Sequence, residues 1–173
     1  MYFFTSDEHY GHTNLLRLNF CNRPFNDIYE MDQEIIRRHN EVVSDRDIVV
    51  HAGDFVVHNQ LSVNHYIKQL KGEHIFLKGS HDKWIKGDIQ HIWAKKIEDE
   101  YIVACHYAML VWPKSHYGSW QLYGHSHGRL NLETMGKQYD IGVDNNNFYP
   151  VSFEQIREIM KTKPNNFNLI KKK

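Results

Sequence analysis

The stretch Asp47-Ile48-Val49-Val50-His51-Ala52-Gly53-Asp54 is a short β-branched run that breaks at a glycine and delivers an acid just past the break. A run of this kind, bounded by a turn residue, reads as a buried strand with a polar group at its carboxyl end. Tyr2 to Thr5 does the same ahead of Ser6-Asp7, and His74 to Lys78 does it ahead of Gly79-Ser80-His81-Asp82. Between these runs, Met31 to Val43 spaces Ile35, Ile36, Val42 and Val43 among charged residues as an amphipathic helix does. Leu61 to Leu70 reads as a second helix, stopped by Lys71-Gly72. Strand, helix and strand in alternation predict right-handed crossovers and a mainly parallel sheet. Side chains gathered from several strand ends of such a sheet meet in one crevice.

The pattern changes after Trp93. Lys96 to Tyr107, Trp120 to Tyr123 and Lys137 to Val143 read as consecutive strands with few helical stretches between them, which predicts a second, partly antiparallel sheet. Ser152 to Lys161 returns to helix with Ser152 as its N-cap, and Asn165 to Lys173 reads as a peripheral strand running into a frayed basic tail. Residues 10 to 30 lack clean periodicity and read as a broken loop with one helical turn, placed to form one wall of a cleft. At 173 residues the chain is expected to form one domain over residues 1–173.

Composition narrows the partners. Twenty-one basic and 21 acidic residues leave no net charge, so nothing advertises a broad groove for a phosphate backbone or an anionic membrane surface, although nucleic acid is not excluded. No run approaches the ~20 apolar residues of a membrane span, and the first residues lack the basic region of a signal peptide. Cys21 and Cys105 are too few for a disulfide framework and lack thiolate-zinc spacing, which fits a reducing cytoplasm.

The chemistry-bearing residues are acids and imidazoles. In Gly124-His125-Ser126-His127, two imidazoles two residues apart fall on one side of an extended backbone, so both can reach one buried point. Asp7-x-His9 repeats the spacing with a carboxylate and an imidazole, and Asp54, His81 and His106 each follow or end a short apolar run. Glycines 53, 79 and 124 each precede one of these residues, where strand ends must turn sharply or let backbone approach closely.

Taken as a set and in this order, Asp7-x-His9, Gly53-Asp54, Gly79-Ser80-His81-Asp82, His106 and Gly124-His125-Ser126-His127 resemble the motifs of the calcineurin-like metallophosphoesterases. The resemblance implies a four-layer α/β/β/α sandwich of two mixed sheets flanked by helices, with a two-metal centre at the strand ends and hydrolysis of phosphomono- or phosphodiesters. It would put one metal on Asp7, His9, Asp54 and His127, with Asp54 bridging to a second metal that also takes His106 and His125. Imidazole and carboxylate without thiolate suit Mn²⁺, Fe, Zn²⁺, Ni²⁺ or Co²⁺ better than Ca²⁺ or Mg²⁺, and Mn²⁺ is favoured. Two such ions roughly 3.5–4 Å apart lower the pKa of a bridging water, and that hydroxide would be the nucleophile. The resemblance makes His81 the group facing the leaving alkoxide, with Asp82 as its orienting carboxylate; a general acid contributes about 10²–10⁴-fold.

One position departs from the family. The usual motif has an asparagine where this chain has Ser80, a shorter and poorer ligand, so the second metal site is expected to be weakened. That departure keeps an alternative open: a metal- or nucleotide-binding module, or a scaffold of the same fold, without efficient catalysis. In the first long loop His12 and Arg23 are candidate substrate contacts, since an arginine fork suits a phosphate. His58 and His116 rank below them. Cys105, next to His106, is expected to turn into the core, and His51 to be a buried, hydrogen-bonded histidine. His39, His65, His74 and His91 have no partner pattern and default to the surface. Tyr10, Trp112, Tyr117 and Trp120 are candidates for an aromatic lip around a nucleobase, with packing between the sheets as their alternative duty. A small phosphate ester, nucleotides first, is the expected substrate.

Overall fold

The structure, a computed structural model, describes residues 1–18, 20–57, 61–87, 89–130 and 135–170. Along the chain come β1 (Tyr2–Thr5), α1 (Ile28–Val42), β2 (Ile48–His51), α2 (Val63–Ile67), β3 (Glu73–Phe76), β4 (Ile92–Ile97), β5 (Glu100–Cys105), β6 (Trp120–Tyr123), β7 (Gln138–Asp140), β8 (Val151–Ser152) and α3 (Phe153–Thr162). The strands pair as two four-stranded sheets, β3-β2-β1-β8 and β4-β5-β6-β7. Both are mixed: β8 runs antiparallel to β1 and β4 antiparallel to β5, while the remaining neighbours are parallel. The fold is an α/β sandwich of two mixed sheets flanked by helices.

Period-two burial explains the layering. Phe4 and Val50 share one core with Ile102, Ala104, Trp120 and Leu122 of the second sheet, whereas their neighbours Phe3 and Val49 pack with Val43 on the opposite side. Each fully buried side chain of this type contributes about 1.5–3 kcal/mol. On the α1 side, Met31 and Ile35 pack with Tyr10, Phe55 and Tyr66. Helix α3 joins the inter-sheet core through Phe153, Ile156 and Met160, and its N-terminus is a capping box in which Ser152 and Gln155 satisfy each other's backbone amides.

Several sequence expectations shift. Helix α1 begins at Ile28 because Asp27 caps it, accepting from Glu30 N at 2.8 Å. Helix α2 is shorter than the 61–70 span, with no side-chain cap to extend it. Strand β8, two residues long, is too short to show a period in the sequence. Residues 165–170 form no strand: Asn166 donates to the carbonyls of Ser115 and Ser119, plugging a turn. Lys171 to Lys173 and His58 lie outside the described residues. His39 is buried, its Nε2 on Lys71 O at 2.9 Å, and half-buried His74 meets His51 at 3.0 Å, so neither is a free surface histidine. His65 and His91 are exposed. No helix among the described residues is long and apolar enough to cross a membrane.

Candidate metal centre

Every candidate ligand lies just beyond the carboxyl end of a strand: Asp7 and His9 after β1, Asp54 after β2, His106 after β5, His125 and His127 after β6. Backbone bonds hold these loops together, from Asp7 N to Gly53 O (3.0 Å), His9 N to Asp54 O (2.9 Å) and Gly124 N to His106 O (3.1 Å). Asp7, His9, Asp54, His125 and His127 all have φ between 48 and 68°, a left-handed conformation that ordinary side chains avoid. Such residues cost on the order of 1–3 kcal/mol each and cluster where function over-determines the backbone. Close approach adds a second constraint: a Cβ on Gly79 would sit 2.3 Å from Asp54 Oδ1, and one on Gly124 would sit 2.4 Å from Asp7 Oδ2.

Two clusters result. Asp7, His9 and His127 bring ligand atoms within 4.8 Å of one another, and so do Asp54, His106 and His125. Asp54 Oδ2 stands between them, 3.5 Å from His9 Nε2 and 3.3 Å from His106 Nε2. Both of those imidazole nitrogens are buried without a hydrogen-bond partner. Buried polar atoms are nearly always satisfied, so two orphans converging on one carboxylate mark a place for a cation. Burial also pushes the Asp7 carboxyl up to about 7, as expected where an anion lacks its counter-charge. Burial works the same way on Asp54, but the nearby imidazoles of His106 and His9 hold it below the ordinary carboxylate range. The residues therefore fit divalent ions held by nitrogen and oxygen donors.

Neighbouring side chains orient these groups. His106 Nδ1 donates to Ala52 O at 3.0 Å, which turns Nε2 into the site. His127 Nδ1 meets Asp144 Oδ2 at 2.7 Å; burial alone would lower this imidazole, but the Asp144 carboxylate raises it to about 10. An imidazole braced by a carboxylate in this way is the usual support for a metal ligand. Asp144 carries no signal in the sequence, where Asp144-Asn145-Asn146-Asn147 looks like an ordinary polar loop. Cys21 joins His127 and Asp144 as a third close group. Glu8 points away between two ligands and meets His51 Nδ1 at 2.6 Å, and His51 Nε2 meets His74 Nδ1, so a buried chain backs the Asp7–His9 loop.

Of the other expected site residues, His81 is exposed with its ring centroid 5.2 Å from His9, and His12 lies 5.6 Å from His81. Ser80 Oγ donates to Asp54 Oδ2 at 2.9 Å. Two roles need correcting. Asp82 does not orient His81: its buried carboxylate accepts from Asp54 N, Phe55 N, Gly79 N and Trp84 Nε1, because the strand-end loops leave amides that need an acceptor. Arg23 offers no free fork to a phosphate. It is 3% exposed, pairs with both oxygens of Asp144 at 2.8 and 2.7 Å and donates to the carbonyls of Asp7 and Glu8. Cys105 and His51 are buried as read. The lip dissolves: Tyr10, Trp112 and Trp120 are buried and only Tyr117 of the four is exposed.

No family model matches the chain. It is 28% identical over 167 residues to an uncharacterized protein of Methanocaldococcus jannaschii, covering 90% of this chain and 89% of that one. Among solved structures it superposes on a protein of unknown function from Aquifex aeolicus with a TM-score of 0.71 at 22% identity, covering 92% and 98% of the two chains, a likeness of fold. An uncharacterized, predicted phosphoesterase of Streptococcus pneumoniae reaches a TM-score of 0.34 at 16% identity, over 73% of this chain and 62% of that one.

Proposed function

We propose that the chain is a metal-dependent phosphoesterase of the calcineurin-like type, acting on a small phosphomono- or phosphodiester. The observation that carries the proposal is the pair of orphaned imidazole nitrogens, His9 Nε2 and His106 Nε2, converging on the shared carboxylate of Asp54. Asp7, His9, Asp54 and His127 would hold one divalent ion, and Asp54, His106 and His125 a second, with Mn²⁺ favoured. When bound, such a pair supplies Lewis acidity and lowers the pKa of water. The chain's own groups do the rest. His81, exposed beside His9 and His12, protonates the departing alkoxide. Burial lowers the pKa of His12, which leaves a neutral imidazole beside His81 to accept or donate a hydrogen bond to the ester.

A second reading has one observation in its favour. The Ser80 hydroxyl is engaged with Asp54, which supports a site that binds its second ion weakly and turns over little. Assaying an aryl phosphodiester and an aryl phosphomonoester against Mn²⁺, Fe²⁺, Zn²⁺, Ni²⁺ and Co²⁺, with a chelated control, separates the two. Ion-dependent turnover is expected. Metal uptake without turnover would favour the weakened site, and no uptake of any ion would end the proposal.

A further inference from the structure

Tyr107, the residue directly after His106, sets a half-exposed aromatic ring against this centre. Its ring centroid lies 4.8 Å from His106 at 74° and 4.7 Å from His125 at 63°, so it makes T-shaped contacts with two candidate ligands. Half of the residue stays open to solvent, at 50% exposure, and Leu110 and Val111 follow at 63% and 57%. Exposed apolar side chains scattered singly are ordinary, so exposure alone says little.

What separates Tyr107 from that background is how firmly its backbone is held. Its carbonyl accepts from Cys105 Sγ at 2.9 Å and from Gln121 Nε2 at 2.9 Å. Gln121 is fully buried on β6, and its carbonyl oxygen takes Met109 N at 3.0 Å. Gln138 of β7, also buried, donates to Gln121 and to Met109 O at 2.8 Å. A buried amide network spanning two strands thus ties down the backbone of Tyr107 and Met109, with Gln138 Oε1 as its one member lacking a partner among the described residues. The fold thus holds the backbone of a half-exposed aromatic residue in place beside the candidate centre, where a side chain with few rotatable bonds gives contact area at low entropic cost.

We infer that Tyr107 is a specificity-determining residue whose ring stacks on a planar aromatic group of the substrate, so that the preferred esters are aromatic phosphates of the nucleotide kind. The assignment rests on the phosphoesterase reading above and names the substrate class of that same site. Stacking of one base on an aromatic side chain is sequence-tolerant and corresponds to roughly 5- to 150-fold in affinity.

The test uses the Mn²⁺-loaded full chain with adenosine 5′-monophosphate and ribose 5-phosphate as calorimetric ligands, in wild type, Tyr107→Ala and Tyr107→Phe. Wild type should bind the nucleotide about tenfold or more tighter than the sugar phosphate. Tyr107→Ala should lose that difference while keeping ribose 5-phosphate affinity and metal stoichiometry, and Tyr107→Phe should keep it. Equal affinities in wild type, an undiminished preference in Tyr107→Ala, or equal losses for both ligands would each overturn the assignment of Tyr107 alone. If neither phosphate nor any ester is bound or hydrolysed by the metal-loaded protein, the phosphoesterase reading falls and this assignment falls with it.

Discussion

Replacing Arg23 by methionine distinguishes a brace from a substrate contact. The guanidinium gives Nε and Nη2 to Asp144 at 2.8 and 2.7 Å, Nη2 to Asp7 O at 2.6 Å and Nη1 to Glu8 O at 2.9 Å. It also lies 5.7 Å from the Phe148 ring. Methionine fills much of the volume but leaves Asp144 facing only His127 and strips two buried carbonyls of their donor. Removing one partner of a buried ion pair costs about 3–5 kcal/mol where the remaining charge is uncompensated, and His127, still facing Asp144, places this loss toward the low end. Each carbonyl adds to that, although the terms share one network and do not sum. With about 2–4 °C per kcal/mol for a chain of this length, thermal unfolding of Arg23→Met should fall by about 6–20 °C. The assay is far-UV circular dichroism on heating in excess chelator, so that metal affinity does not enter, followed by KM for an aryl phosphodiester with Mn²⁺. A midpoint within about 2 °C of wild type together with a raised KM would refute the brace and restore Arg23 as a phosphate fork.

The remaining predictions concern the centre and the core. His125→Ala should lower both Mn²⁺ content and turnover, whereas His81→Ala should keep Mn²⁺ content and cut turnover about 10²–10⁴-fold; full occupancy in His125→Ala would remove that residue from the ligand set. Ser80→Asn should tighten uptake of the second equivalent of Mn²⁺, about tenfold as for other changes in ligand support; identical two-site titrations and rates for wild type and variant would show that the serine is no handicap. For His39, burial lowers the imidazole to about 3 in the folded chain, against about 6.5 when unfolded. Its folded pKa is depressed, so its contribution is complete above pH ~6.5 and is lost as pH falls toward 3. Relative to His39→Gln, wild type should lose about 1.4 kcal/mol per pH unit, or roughly 2.7 kcal/mol by pH 4.5. Urea midpoints in chelator between pH 7.5 and 4.5 measure this, and a constant difference between the two proteins would contradict it.

Much of the centre can be read locally, because each candidate ligand sits within a few residues of an apolar run that breaks at glycine or a polar turn. That pattern depends only on a strand needing a buried face and an end, so Asp7, His9, Asp54, His106, His125 and His127 stand out before any contact is known. The same logic finds α1 and α3, whose apolar residues recur with helical spacing. It overextends α2 and misses β8, since five- and two-residue elements are settled by neighbours rather than by period.

By itself, the sequence determined two groups of strands and a series of acids and imidazoles at their ends. Tertiary structure alone decided which partner each group takes. Arg23 meets Asp144 across 121 positions and Asp82 serves the amides of a loop 27 and 28 residues away, pairings that leave no periodic trace in the chain. The exposure of Tyr107 beside the burial of Tyr10 was likewise decided by the fold, because both are aromatic residues just past a strand and only the surrounding layers distinguish open ring from core. Local backbone preference acts over a few residues, whereas a buried charge or amide takes whatever counterpart the packed sheets bring within about 3 Å.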